Sequence, residues 1–179
     1  MTTQLHGILF AYRDNPHLRE LTSHRTVASI PFGGRYRMID FMLSNMVNAG
    51  IVDIGVVMQE KCLSLLDHLG SGKDWDLARK RGGLRVLPPF TNQSRNFRGK
   101  MEALYGVYTY MEDIRQDYVL MADADVACNI DLEAVFQAHL DSGADITAVC
   151  TKNLCGDPKM STYFKLDETG RINEVLDTP

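Results

Sequence analysis

Arg35-Tyr36-Arg37-Met38-Ile39-Asp40-Phe41-Met42-Leu43-Ser44-Asn45-Met46-Val47-Asn48-Ala49-Gly50, followed closely by Ile54-Gly55-Val56-Val57-Met58, decides the fold class. Ile39, Met42, Leu43, Met46 and Val47 recur at the three-and-four spacing of one buried helical face, which predicts a helix over Arg35 to Ala49. Gly50 stands where a left-handed C-terminal cap is wanted. Ile54 to Met58 is short, apolar and β-branched, and so is Leu5 to Ala11 upstream of the helix; both read as strands. Strand, helix, strand is the unit that joins parallel strands, because such a pair needs a long crossover.

The alternation continues outward. Leu84 to Leu87, Tyr118 to Ala122 and Asp145 to Cys150 read as further strands. Met101, Leu104, Tyr105, Tyr108 and Met111 repeat the buried-face pattern, as do Leu132, Val135, Phe136, His139 and Leu140. The last helix is expected to start at an Asn129 or Asp131 N-cap and to stop at Gly143. Alternating elements predict an α/β fold, a Rossmann-like, mostly parallel sheet flanked by helices. The tail differs: two short strands within Tyr163 to Val175 flank Asp167-Glu168-Thr169-Gly170, which is hairpin chemistry, so an antiparallel hairpin follows the parallel core.

At 179 residues, with 45% hydrophobic and 23% charged side chains, the chain can build one globular core. A net charge of −4 gives no general attraction to nucleic acid or anionic lipid, and no run approaches the roughly 18 apolar residues of a membrane span. Neither nucleic acid nor membrane is expected as a partner, and the expected location is the cytoplasm. Cys62, Cys128, Cys150 and Cys155 lack redox or zinc spacing and read as reduced core thiols. The one basic stretch, Lys73 to Arg85, surrounds the single tryptophan, Trp75. The glycine pairs Gly33-Gly34 and Gly82-Gly83 read as tight turns, and His139, on an apolar helical face, as a hydrogen-bonded core histidine.

Ligands of an open parallel sheet bind beyond the carboxyl ends of its strands. There, Met121-Ala122-Asp123-Ala124-Asp125 ends a strand with two carboxylates at a spacing that points both to one side. A magnesium ion bridging phosphate oxygens suits such a pair; capping or solvated-loop carboxylates before the next helix are the alternative. The loop after the first strand, Phe10-Ala11-Tyr12-Arg13-Asp14-Asn15-Pro16-His17, contains no glycine to bring backbone N–H groups close to a pyrophosphate, and Pro16 removes a donor. Arg13 reads either as a phosphate contact or as a surface ion pair.

Ile30-Pro31-Phe32-Gly33-Gly34-Arg35-Tyr36-Arg37-Met38-Ile39-Asp40-Phe41-Met42-Leu43-Ser44-Asn45, Gly50-Ile51, Gly55-Val56-Val57-Met58-Gln59 and Phe97-Arg98-Gly99 resemble the ADP-glucose pyrophosphorylase (glucose-1-phosphate adenylyltransferase) family over nearly the whole chain. Leu65 to Leu77 and Arg79 to Gly83 resemble more closely its GlgD-type partner subunits. The resemblance implies a nucleotide-diphospho-sugar transferase (GT-A-like) fold. The implied reaction makes ADP-glucose and pyrophosphate from ATP and glucose 1-phosphate with Mg2+. By resemblance, Gln59 lies near the adenine, Gly99 begins the nucleotide-contacting turn with Lys100 after it, Arg13 is a further nucleotide contact, and Asp125 is the metal ligand.

The departures from the family pattern all touch phosphate charge. The glycine-rich loop has become Phe10 to Leu18, a family lysine falls at Val27, a threonine at Lys100, and the glutamate-lysine pair that holds the sugar and its phosphate has become Asp177-Thr178. Each lost charge-assisted contact is worth roughly 1.5 to 3 kcal/mol. The resemblance therefore implies a regulatory, weakly active or inactive subunit that pairs with a catalytic subunit in a hetero-oligomer, a tetramer, and retains ATP or a sugar phosphate as ligand at most. A working adenylyltransferase built on Asp125, Gln59 and Gly99 is the alternative. Residues 1–179 are expected to form a nucleotidyltransferase-like domain of a longer protein, whose second metal carboxylate and left-handed β-helix would lie beyond Pro179. His24 and Arg25 fall near the family's effector segment, or in a solvated loop.

Overall fold

Strand β1 (Leu5–Phe10) is buried at every residue, a condition met only by a strand flanked on both edges and covered on both faces. In a computed structural model, which describes residues 4–88, 97–152 and 162–176, it is the centre of a four-stranded sheet. After β1 come the short strands β2 (Pro31–Phe32) and β3 (Tyr36–Arg37), helix α1 (Met38–Asn48), β4 (Asp53–Val57), α2 (Leu63–Leu69), β5 (Gly83–Leu87), α3 (Lys100–Gly106), α4 (Tyr108–Glu112), β6 (Tyr118–Asp123) and α5 (Leu132–Ser142). The sheet order is β5-β4-β1-β6, and every pairing in it is parallel. The predicted parallel α/β core is what the chain forms. The chain divides into a unit at Met1–Phe136 and one at Gln137–Pro179. The second holds the predicted hairpin, β7 (Tyr163–Leu166) with β8 (Ile172–Leu176), turned by Asp167, whose carboxylate accepts the Thr169 and Arg171 N–H groups.

Strand alternation sorts the core into two layers. Leu5 and Leu9 of β1 and Ile54 and Val56 of β4 meet Ile39, Leu43 and Met46 of α1 and Leu65 and Leu69 of α2. Ile8, Phe10, Val57 and Leu87 turn the other way, onto Ala103 and Val107. Helix α1 begins at Met38, three residues later than its periodicity predicts, because Tyr36–Arg37 pairs with Pro31–Phe32 around the positive-φ turn Gly33-Gly34. The Asp40 carboxylate then accepts the Arg37 N–H at 2.9 Å, and Gly50 leaves the helix at φ +75°.

Two predicted elements need correction. Met101, Tyr105 and Tyr108 are exposed (79%, 81% and 57%), whereas Ala103 and Val107 are buried. The helix breaks at Val107 into α3 and α4, so of the predicted stripe only Leu104 and Met111 pack against the core, beside Ala103 and Val107. Asp145 to Cys150 forms no strand: Ile146 and Val149 are exposed, and apolar alternation does not itself supply a hydrogen-bonding partner. Of the cysteines, Cys62 and Cys128 pack against the core but Cys150 is exposed, and Cys155 lies outside the described residues. At α5 the Asp131 carboxylate is the cap, accepting the Ala134 N–H at 3.0 Å. His139 is only half buried and hydrogen-bonds to Thr147, so it is not a core residue.

The glycine pair Gly82-Gly83 has φ of +70° and +87°, and a Cβ on Gly83 would collide with the Leu77 carbonyl oxygen. Gly83→Ala is expected to cost about 3 kcal/mol, combining a left-handed backbone with a rigid clash, and to lower the urea midpoint accordingly. A midpoint equal to wild type would show that the turn before β5 relaxes freely.

His6, 1% exposed, shares a 2.8 Å hydrogen bond with the Tyr110 hydroxyl, and its other ring nitrogen lies 3.7 Å from Asp53. Gly55 leaves the space for that tyrosine, since a Cβ there would meet the ring at 2.8 Å. Burial lowers the His6 pKa below its ordinary 6.5 despite the raising pull of Asp53. The folded histidine is thus neutral where the unfolded one takes a proton, so stability present above that value is lost as pH falls below it. Between about pH 7.5 and about pH 5.5 the unfolding free energy from urea titration is expected to fall, by up to about 1.4 kcal/mol per pH unit, and His6→Gln to flatten that slope.

Candidate functional site at the carboxyl edge of the sheet

The register of β1 decides what meets at the carboxyl edge. Phe10 is opposite Val57 on one side and Asp123 on the other, so the loops leaving β1, β4 and β6 emerge together. Ala11 prolongs the alignment by donating to the Val57 carbonyl, and Ala124 by donating to that of Phe10. Arg13, from the first loop, therefore faces the end of β6. Its guanidinium lies 3.5 Å from Asp123 and 3.9 Å from Asp125, which places both carboxylates on one side, as their spacing predicts. Lys100, the first residue of α3, puts its ammonium 2.9 Å from the same Asp123 oxygen.

The cluster pairs two recessed anions with two outer cations. The carboxylate side chains are 17% and 19% exposed, Arg13 37% and Lys100 52%. Among the described residues, one oxygen of each carboxylate, Oδ1, is buried without a hydrogen-bond partner. Burial, joined by the Asp123 charge, pushes the Asp125 pKa above the usual carboxylate range against the opposing effect of Arg13. Burial and Asp123 likewise raise that of Tyr12. Since Asp131 caps α5, the reading of Asp123 or Asp125 as a helix cap is set aside. Two carboxylates already holding two cations are not, as they stand, a donor set for a divalent ion, and among the described residues no three His, Cys, Asp or Glu gather as one.

The other sequence-derived candidates fall around this edge unequally. Gln59 follows β4 and is buried at 6% exposure. Gly99 precedes α3 with extended backbone and, among the described residues, nothing within 4 Å of a Cβ. Asp177 and Thr178 lie outside the described residues. Phe10 is 1% exposed and belongs to the core, with Tyr12 edge-on to it and Phe97 edge-on to Tyr12 at 5.2 Å. Val27, where the resemblance puts a lysine, is 7% exposed. The sequence offers Arg13 as a phosphate contact or an ion pair and Lys100 as a nucleotide contact, but not Asp123 as the partner of both; opposite charges far apart in the chain carry no local signal.

The first loop spends three of its own donors. Asn15 N–H goes to the Asp14 carboxylate (2.9 Å), His17 N–H to the Asn15 side chain (3.0 Å) and Leu18 N–H to the Asn15 carbonyl (3.0 Å), while Pro16 has none. Lys61 braces the loop from β4's side, 3.0 Å from Asp14 and 2.9 Å from the Thr22 carbonyl. Burial raises the Asp14 pKa, but bonds from Lys61, Thr22 and the Asn15 N–H outweigh it and hold the carboxyl below its usual range. Two cavities, of about 420 and 210 Å3, open elsewhere, beside Asn45 and Asn129, and take no side chain from the charged cluster.

Comparison with known proteins agrees with this architecture. The chain is 38% identical over 156 residues to the glycogen biosynthesis protein GlgD of Geobacillus stearothermophilus, covering 83% of this chain and 44% of that protein. It is 38% identical over 143 residues to the glucose-1-phosphate adenylyltransferase of the same organism, covering 79% of this chain and 37% of the relative. The corresponding enzyme of Thermotoga neapolitana is 33% identical over 175 residues, covering 97% and 41%. The chain thus spans less than half the length of these curated relatives. A putative glucose-1-phosphate thymidylyltransferase from Bacillus anthracis, solved with sucrose, shares the fold at a TM-score of 0.70 and 14% identity, covering 98% of this chain and 65% of that one. No helix among the described residues is long and apolar enough to cross a membrane. Residues 16–179 match the Nucleotidyl transferase family, and with the parallel sheet and its carboxyl-edge cluster this chain belongs to that family.

Proposed function

We propose that the chain is the nucleotidyltransferase-like part, residues 1–179, of a cytoplasmic regulatory subunit of ADP-glucose pyrophosphorylase in glycogen biosynthesis. The subunit is weakly active or inactive by itself and assembles with a catalytic subunit into a hetero-oligomer, a tetramer. Its similarity to GlgD and to glucose-1-phosphate adenylyltransferases supports the pathway. The observation that carries the loss of catalysis is the first loop. A pyrophosphate held at that position needs backbone N–H groups aimed at it, and those of Asn15, His17 and Leu18 are committed within the loop while Pro16 has none. Val27 adds to it: the position where the resemblance puts a phosphate-side lysine is an apolar side chain turned inward.

The second reading, a working adenylyltransferase, is favoured by one feature. Arg13 and Lys100 converge beside Asp123 and Asp125, so cationic groups able to meet a phosphate are present at the edge. In that reading they would orient the nucleotide and Gln59 and Gly99 would lie along it.

ADP-glucose formation from ATP and glucose 1-phosphate with Mg2+, measured for the full-length protein alone and mixed with its catalytic partner, separates the two. Negligible turnover alone with stimulation of the partner is the expected result. Turnover alone at the partner's rate, abolished by Asp125→Asn, would replace the regulatory reading with the enzymatic one. A finer check lies at position 27: Val27→Lys is expected to restore no activity and to destabilise the fold by about 2 to 3 kcal/mol, because the ammonium would enter a buried site. A gain of turnover with an unchanged urea midpoint would show that the inward packing of this position is not what closes the site.

A further inference from the structure

We infer that Lys100 and Arg13 are built-in counter-ions of the Asp123–Asp125 pair, and that the ligand-free protein keeps these carboxylates closed to a divalent cation. The inference deepens the proposed regulatory role and rests on that reading only for the choice of Mg2+ as the ion concerned.

Formal charge is the first support: two carboxylates face one guanidinium and one ammonium within 2.9 to 3.9 Å, so the cluster is neutral without any metal. Their order relative to solvent is the second. The anions are recessed and the cations lie outward, which means that an incoming ion would meet positive charge first. Third, Lys100 is held twice. Its ammonium also stands 5.5 Å from the centroid of the Phe10 ring, and Phe10 is immobilised in the core at 1% exposure, so the ammonium is fixed by a cation–π contact as well as by Asp123. Last, the unpaired Oδ1 atoms of both carboxylates mark the acceptor capacity that the two cations leave unused. Removing the Lys100 charge would leave Asp123 Oδ2 with the longer Arg13 contact, at 3.5 Å, and an excess of negative charge beside those atoms, the condition under which a hard cation binds.

Mn2+ binding to the full protein without nucleotide, followed by the electron paramagnetic resonance of the free ion, tests this directly. Lys100→Met, which keeps the apolar stem against Phe10, and Lys100→Gln are both expected to bind Mn2+ at least about tenfold more tightly than wild type. Lys100→Arg is expected to remain at the wild-type level, and adding Asp125→Asn to Lys100→Met to erase the gain. Wild-type affinity equal to that of Lys100→Met and Lys100→Gln would overturn the inference, and so would a gain that survives Asp125→Asn. The readout is independent of turnover. Wild-type protein that excludes Mn2+ yet makes ADP-glucose alone would remove the regulatory reading and leave the counter-ion inference standing; an inactive protein that binds Mn2+ as Lys100→Met does would do the reverse.

Discussion

The parallel register of β1 with both neighbours is the constraint on which the site depends. Leu5 to Phe10 is opposite Tyr118 to Asp123 on one edge, and Gly7 to Phe10 opposite Ile54 to Val57 on the other. Side chains alternate with a period of two, so a one-residue slip would send Leu9 away from α1 and His6 away from Tyr110. It would also carry Asp123 past Phe10 and separate it from Lys100, whose ammonium stands over that ring. The apolar layers on the two faces of β1 make such a slip expensive, and the charged cluster inherits its geometry from packing that has nothing to do with charge.

Periodicity and turn chemistry reveal most of this frame. The stripe in α1, the β-branched runs of β1 and β4, the positive-φ glycines and the Asp167 hairpin are all local signals, and local physics settles them. What was not legible depends on contacts distant in the chain. The phase of α3 and α4 turns on a break at Val107, which the stripe of methionines and tyrosines does not announce. Asp145 to Cys150 has strand-like composition, yet hydrogen-bonded pairing belongs to two segments and composition to one. At the site, the paired aspartates could be read because strand spacing aims them together, whereas the contact of Lys100 with Asp123 spans 23 residues and is a fact of the fold alone.

The first loop illustrates how loss of glycine changes chemistry through hydrogen bonding. Glycine contributes no group to a phosphate; it permits a backbone shape in which several N–H groups point outward. Asn15 does the opposite, drawing the His17 N–H to its side chain and the Leu18 N–H to its carbonyl, and Pro16 fixes the intervening residue. Lys61 then neutralises Asp14 and ties the loop to the strand beside it. The result is a turn in which the Asn15, His17 and Leu18 N–H groups are committed within the loop and are not offered to an anion.

Neutrality of the edge cluster has a consequence for any phosphate-bearing ligand. Such a ligand and the two carboxylates would compete for the same guanidinium and ammonium, so each contact made to phosphate is offset by one withdrawn from Asp123 or Asp125. A carboxylate stripped of its cation in a half-buried position is costly, all the more for Asp125, whose ionised form burial already disfavours. Binding energy at this edge is therefore reduced by the work of breaking the ion pairs, and a tight complex would require a further cation to replace the charge withdrawn. A site organised in this way resists phosphate in proportion to how well it is neutralised at rest.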